Sequence, residues 1–90
     1  MGTLMILYEV YLVPGASGAP LLSQETKDDT GAQEMTPEQA EQVGFHGIPD
    51  DPHGRQRRFI VCQHSDERRI HNVLEASAQV ANFQIHEVEM

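Results

Sequence analysis

The sequence predicts a small α+β domain, because three short apolar runs alternate with one segment of helical periodicity. The apolar runs are residues 4–13, 58–63 and 83–89, and the helical segment is residues 66–81. Short apolar runs bounded by turn residues are typical of strands, whereas apolar residues that recur every three or four positions indicate a helix with one buried face. A chain of 90 residues is expected to form a single domain spanning residues 1–90.

The first run, residues 4–13, is apolar at both odd and even positions. Because such a strand needs cover on both faces, we predict that it lies at the centre of the sheet. Residues 58–63 and 83–89 predict two further strands. In the second of these, apolar and polar residues alternate, as in a strand with one solvent-exposed face. A weaker fourth strand at residues 20–25 is considered as a hairpin partner of the first, which makes the sheet three- or four-stranded.

Two helices are predicted. The long one covers about residues 66–81, with Ser65 as its N-cap. Its apolar face is formed by Ile70, Val73, Leu74, Ala78 and Ala81. The short one covers about residues 37–43 and begins with a capping box, in which Thr36 and Gln39 each accept a hydrogen bond from the backbone of the other.

The order of these elements restricts the topology. Two strands joined by one helix run parallel through a right-handed crossover. If the most apolar strand, 4–13, lies between strands 58–63 and 83–89 and is antiparallel to both, the result is a split β-α-β unit of ferredoxin-like type. One face of such a sheet has little helical cover, and its edges offer a surface for a partner.

Charge is unevenly distributed along the chain. Fourteen acidic and six basic residues give a net charge of −8, most of it between residues 25 and 51. Residues 14–35 are predicted to be a flexible acidic loop or arm. Within it, Leu21 and Leu22 form an isolated apolar pair that is suited to docking onto a partner. Nucleic acid is not expected as a partner, because the net charge repels phosphate and few aromatic residues are present for stacking.

Five of the six basic residues lie between positions 55 and 69. Arg55, Arg57 and Arg58 precede or begin the second strand, where they protect an edge or form an anion site. A third interpretation is that the arginines of one copy contact the acidic loop of another copy. The interaction residues expected from the sequence are therefore Leu21, Leu22, Arg55, Arg57 and Arg58.

Metal binding is the most specific chemistry that the side chains suggest. Cys62 and His64 lie two positions apart at a strand end, and His71 follows in the predicted helix. No paired metal-binding motif accompanies them, so they are weak candidates, and no cofactor is expected. A single cysteine excludes an intramolecular disulfide and favours a cytoplasmic location. The apolar run at residues 4–13 is too short to cross a bilayer as a helix, lacks preceding Lys or Arg and contains Glu9, so neither a membrane span nor a signal peptide is expected.

These observations favour a non-enzymatic module for protein interaction or assembly, which contacts itself or another protein through a sheet edge or its charged segments. No catalytic residues are predicted. One alternative is a small regulatory domain that binds a metal or ligand through Cys62, His64 and His71. Another is an acidic mimic that inhibits a nucleic-acid-binding protein through residues 25–51.

Overall fold

The computed structural model describes residues 4–15, 20–42 and 57–89. In chain order the elements are β1 (Leu4–Leu12), α1 (Gln24–Thr30), β2 (Gln33–Met35), α2 (Pro37–Gln42), β3 (Arg57–Gln63), a 3₁₀ turn (His64–Asp66), α3 (Glu67–Ala76) and β4 (Val80–Glu89). The strands form one four-stranded sheet in the order β2-β3-β1-β4, and each pair of neighbours is antiparallel. The α+β class predicted from the sequence is confirmed.

β1 lies between β3 and β4 and pairs with both over almost its whole length. Its side chains from Ile6 to Leu12 are all buried, which agrees with the apolar character of both of its faces. Since side chains alternate along a strand, even positions of β1 face one side of the sheet and odd positions face the other. The two sides are called here the α3 face and the α2 face, after the helix that packs on each.

The larger core lies on the α3 face. It combines even positions of β1 and β3 with buried residues of α3 and of the segment around α1. Its buried members are Ile6, Tyr8, Val10, Leu12, Leu22, Ala32, Ile60, Cys62, Ile70 and Leu74. The smaller core, on the α2 face, comprises Leu7, Met35, Ala40, Phe59 and Val61. The chain therefore buries apolar side chains on both faces of its sheet.

Within residues 14–35, where the sequence predicted a flexible acidic loop, the structure has helix α1 and strand β2. The Ser23 side chain caps α1 by accepting a hydrogen bond from the Thr26 N–H at 3.1 Å. Gly31 ends it with φ 68° and donates its N–H to the Lys27 carbonyl at 2.8 Å. The strand considered at 20–25 is absent, because this cap begins a helix at Gln24; the fourth strand is β2.

Helix α2 begins as the sequence predicted. The Thr36 N–H donates to Gln39 Oε1 at 3.0 Å, and the Gln39 N–H donates to Thr36 Oγ1 at 3.3 Å, which completes the capping box. The described part of the helix ends at Gln42, and the predicted final residue, Val43, lies outside the described residues. Ala40 is the buried residue of this helix, and it packs in the smaller core.

Helix α3 is shorter than the predicted 66–81 and ends at Ala76. Ser65 is not its N-cap, because residues 64–66 form a 3₁₀ turn that leads into the helix. At the other end, Ser77 is extended and Val80 already pairs with Leu12. Ala78 and Ala81 fit the helical pattern, but strand pairing with β1 is favoured over two further helical positions. β4 therefore begins at Val80, three residues before the predicted strand. None of the helices in the described part of the chain has the length and apolar character needed to span a membrane.

Candidate functional site

The candidate site is the outer edge of β4, the last strand of the sheet. β4 pairs with β1 on one side, and within residues 4–15, 20–42 and 57–89 no strand pairs with its other side. The Phe83 N–H donates to the side-chain oxygen of its neighbour Asn82 at 2.8 Å, so it points away from β1. Because backbone direction alternates along a strand, the N–H groups of Ile85 and Glu87 also point outward. The edge therefore presents backbone groups on which another strand can be added.

The side chains of β4 differ between the two faces. Phe83 and Ile85 lie opposite Val10 and Tyr8 of β1, which places them on the α3 face. The Phe83 ring packs edge-on against Tyr8, with ring centroids 5.8 Å apart. Ile85 is 42% exposed, although it is a large apolar side chain in the middle of its strand. The α2 face of β4 carries the polar side chains of Gln84 and His86 and, toward the end of the strand, Val88, which packs against the smaller core.

On the inner side of β4, a buried carboxylate connects three strands. Glu9, in the middle of β1, is only 4% exposed. Its Oε2 accepts hydrogen bonds from Arg57 Nη1 of β3 at 2.9 Å and from the Tyr11 hydroxyl at 3.0 Å. Its Oε1 lies 3.1 Å from His86 Nε2 of β4. Because both carboxylate oxygens are engaged, the group holds β3, β1 and β4 together on the α2 face.

The electrostatics of Glu9 follow from these partners. Burial by itself raises the pKa of a carboxyl group, but the hydrogen bonds from Arg57, His86 and Tyr11 hold the pKa of Glu9 below its usual value. The Arg57 guanidinium also lies 5.7 Å from the centre of the Phe59 ring, within the range of a cation–π contact. An ionised carboxylate held by several donors is a poor proton acceptor, so this arrangement is suited to structure rather than to general base catalysis.

A second buried carboxylate, Glu34, lies in β2 at the opposite edge of the sheet. Its Oε1 accepts the backbone N–H groups of Leu21 and Leu22 at 2.8 and 3.1 Å. Its Oε2 accepts a hydrogen bond from Arg58 Nη1 at 2.9 Å. Three residues that the sequence predicted for interaction therefore meet at one carboxylate, but two of them meet it through their backbones. The Leu22 side chain is 2% exposed and belongs to the larger core, and Leu21 packs against that core, so neither forms an exposed docking step.

The arginine cluster is divided between two ion pairs. Arg57 pairs with Glu9 and Arg58 with Glu34, and Arg55 lies outside the described residues. A third pair joins Arg69 of α3 to Asp29 of α1 at 3.0 Å on the surface. The acidic segment and the arginines, which the sequence suggested as a contact between copies, thus meet within one chain.

The weak metal candidates are not brought together. Cys62 lies in the larger core, His64 is exposed in the 3₁₀ turn, and His71 Nε2 lies 3.0 Å from Glu75 Oε1 on α3. Burial, followed by the charges of Asp66 and Glu67, raises the pKa of the Cys62 thiol to about 11, which disfavours the thiolate that a metal or a nucleophilic reaction needs. Among the described residues, no three potential ligands converge on one point.

The sequence analysis did not predict a role at the sheet edges for four residues, which are Glu9, Glu34, His86 and Ile85. Glu9 was recognisable, because a charged residue inside a strand that is apolar on both faces needs a buried partner. Its partners Arg57 and His86 lie 48 and 77 residues away, and only the strand register brings them together. Comparisons with family models, with curated proteins and with solved structures found no match for this chain.

Proposed function

We propose that this protein is a non-enzymatic interaction module that binds a protein partner by adding a strand to the outer edge of β4. The observation that carries the proposal is the outward-pointing backbone of β4 next to the exposed side chain of Ile85. In strand addition, main-chain hydrogen bonds supply affinity and alternate side chains supply specificity. β4 offers both, since Ile85 lies on one face of the edge and His86 on the other.

The composition of β4 supports this role. The strand has ten residues, about twice the usual length, and contains neither Lys nor Pro, which commonly protect edge strands from pairing. Its inner side pairs with β1 from Val80 to Glu89, with one register shift at Ala81, and the contact between His86 and Glu9 adds a side-chain anchor. A rigid edge binds with a smaller loss of conformational entropy than a segment that must become ordered.

We infer that the fold is a split β-α-β arrangement of ferredoxin-like type. β3 and β4 are both antiparallel to β1, so they run parallel to each other, and α3 connects them. The predicted central position of the first strand is part of this inference. In such a sheet β4 is a terminal strand, which is the reason that its outer edge is available to a partner.

The non-enzymatic part of the proposal rests on the state of the reactive groups. The carboxylate of Glu9 is occupied by its donors, and the thiol of Cys62 is buried with a raised pKa. The partner is expected to be a protein rather than a nucleic acid, since the net charge of −8 repels phosphate.

Site-specific photo-crosslinking tests the proposal. A benzophenone amino acid replaces either Glu87, on the β4 edge, or Asp28, an exposed acid of α1. Each replacement removes one negative charge, so the two variants are matched. After irradiation in the cells that produce the protein, we expect an adduct of defined mass from position 87 and none from position 28.

Two results would overturn the proposal. The same adducts from both positions, or no adduct from position 87, would exclude a specific contact at the β4 edge. An adduct from position 28 alone would favour the acidic-mimic alternative, because that hypothesis places the contact in residues 25–51.

A further inference from the structure

We infer that the strand added to β4 is the β4 of a second copy of this chain, related by a two-fold axis that passes beside Gln84. This inference rests on the proposed function and names its partner. The two copies of β4 run antiparallel, so that one continuous sheet extends through both molecules. A contact of this kind is isologous, because both copies use the same strand.

The backbone of β4 limits the possible registers. A two-fold axis perpendicular to the sheet keeps the α3 faces of both copies on the same side. Residues that lie opposite each other across the contact must therefore come from the same face, so odd positions meet odd positions. The outward N–H of Phe83 identifies the odd positions as those that form the new hydrogen bonds. Even positions, such as Gln84, then form the closer pairs without hydrogen bonds between the copies.

Side-chain chemistry selects one of these registers. With Gln84 opposite its own equivalent, Ile85 of each copy lies opposite Phe83 of the other. An aromatic ring beside a β-branched side chain is a favourable cross-strand pair. This pairing covers Ile85, which is 42% exposed in the single chain.

Registers shifted toward the C-terminal end of β4 place Glu87 in the contact, against Phe83, Ile85 or its own equivalent. The register with Phe83 opposite itself places Ile85 opposite Ala81 instead of an aromatic ring. With Ile85 opposite itself, Glu87 lies against Phe83, and with His86 opposite itself, Glu87 lies against Ile85. With Glu87 opposite itself, two carboxylates meet directly, which is destabilising. With Gln84 at the axis, Glu87 lies beyond the Phe83–Ile85 pairs, near the β-bulge at Ala81, and the apolar side chains contact each other.

The charge distribution of the chain favours the same contact. Each copy carries a net charge of −8, so most surfaces of two copies repel each other. The stretch Asn82–His86 contains no acidic residue, and the inferred register places this stretch against itself. We therefore expect added salt to strengthen association, because salt screens the remaining repulsion.

Disulfide trapping tests the inference. In the Gln84→Cys variant, the two new thiols lie opposite each other in a pair without hydrogen bonds, where Cα atoms are about 4.5 Å apart and a disulfide fits. In the matched His86→Cys variant, the two thiols are separated by about four residues, or about 13 Å along the strands. Under mild oxidation, we expect the first variant to form a covalent dimer at least about tenfold faster than the second. The natural chain is the background control, since its only cysteine, Cys62, is buried.

The outcomes separate this inference from the proposed function. Rapid trapping of His86→Cys in place of Gln84→Cys would overturn the register. If neither variant traps and sedimentation finds one chain per particle at all concentrations, the second copy is excluded as the partner. The proposed function would then still stand if the position 87 adduct had the mass of a different protein, and it would fail if no such adduct formed.

Discussion

The two edges of the sheet are built differently. β2 has three residues, and its central residue, Glu34, uses both carboxylate oxygens to bind the Leu21–Leu22 backbone and Arg58. β4 has ten residues, and at its outer edge a backbone N–H is met by the side chain of Asn82. Within the described residues, the short β2 edge is held by a buried carboxylate, whereas no strand pairs with the outer side of the long β4 edge; the two are called here the closed edge and the open edge.

A buried carboxylate also lies on the inner side of the open edge. Glu9 and Glu34 bind the neighbouring residues Arg57 and Arg58, whose side chains point to opposite faces of β3. Glu34 fixes β3 to the closed edge, whereas Glu9 fixes β3 and β4 to β1. The two groups allow the stability of each edge to be tested separately.

The largest expected effect is at the inner side of the open edge. Replacement Glu9→Ala removes the buried carboxylate that contacts Arg57, Tyr11 and His86, and breaking a buried ion pair costs about 3–5 kcal/mol. Urea denaturation of Glu9→Ala and of the exposed control Glu87→Ala measures the difference. A loss below about 1 kcal/mol for Glu9→Ala, within the range of an ordinary surface substitution, would contradict this account of the α2 face.

A smaller loss is expected from protonating the same group. The folded-state pKa of Glu9 lies below its usual value of 4.5, so its charge stabilises the fold above the unfolded pKa. This contribution is lost as the pH falls from about 4.5 through the lower, folded-state pKa. Denaturation midpoints measured across this range are expected to fall more steeply for the natural chain than for Glu9→Gln, which cannot titrate at this position. Parallel profiles would contradict the assignment.

At the closed edge, Glu34→Ala removes the acceptor of two backbone N–H groups and one arginine. We expect a loss of about 2–3 kcal/mol, since hydrogen bonds to a charged group are stronger than the average. The exposed residue Glu41 of α2 provides the control, Glu41→Ala. Amide hydrogen exchange provides a local measurement, in which the Leu21 and Leu22 amides lose protection in Glu34→Ala. Retained protection would show that another group satisfies them.

At the open edge, Ile85→Lys is expected to change association rather than folding. Ile85 is exposed, so we expect the free energy of unfolding to change by no more than about 0.5 kcal/mol. A charge on the edge strand disfavours strand pairing, and sedimentation is expected to show self-association weakened by about tenfold. Leu4→Lys is the matched control, because Leu4 is 50% exposed and lies at the start of β1. Equal effects of the two substitutions would exclude a specific role of the edge.

The smallest expected effect is at Asn82. Its side chain occupies the Phe83 N–H, which must be released before a second strand binds there. In Asn82→Ala this competition is lost, and we expect self-association to strengthen by about fivefold, equivalent to about 1 kcal/mol. Asn82→Asp retains the acceptor and is expected to keep association weak. Unchanged association in Asn82→Ala would indicate that water satisfies the amide equally well.

The sequence predicted those parts of the fold that depend on local patterns. The three apolar runs correspond to β1, β3 and β4, and the capping box between Thr36 and Gln39 is present. Helix α1 was missed because its signals, a serine cap and a terminal glycine, enclose polar residues with little helical periodicity. The predicted end of α3 is too late in the chain, because Ala78 and Ala81 fit the helical pattern. In the structure Ala78 lies in the turn after α3 and Ala81 lies in β4.

The candidate site was less accessible from the sequence. The preference for a sheet edge followed from the small number of helices, but which edge is open depends on the strand order. Arg57 and Arg58 were recognised as a cluster, yet adjacent residues of a strand point to opposite faces, so each arginine has a separate carboxylate. Residues that the sequence treated as one patch are therefore divided by the sheet.

The carboxylate of Glu9 also acts as a check on how the sheet assembles. A shift of one residue in strand pairing turns every side chain to the opposite face. Such a shift would move Glu9 onto the apolar α3 face, away from the Arg57 and His86 donors. Its charge would then be buried among apolar side chains without a partner, which is energetically costly. A sheet paired in the shifted register is therefore expected to be less stable than the observed one.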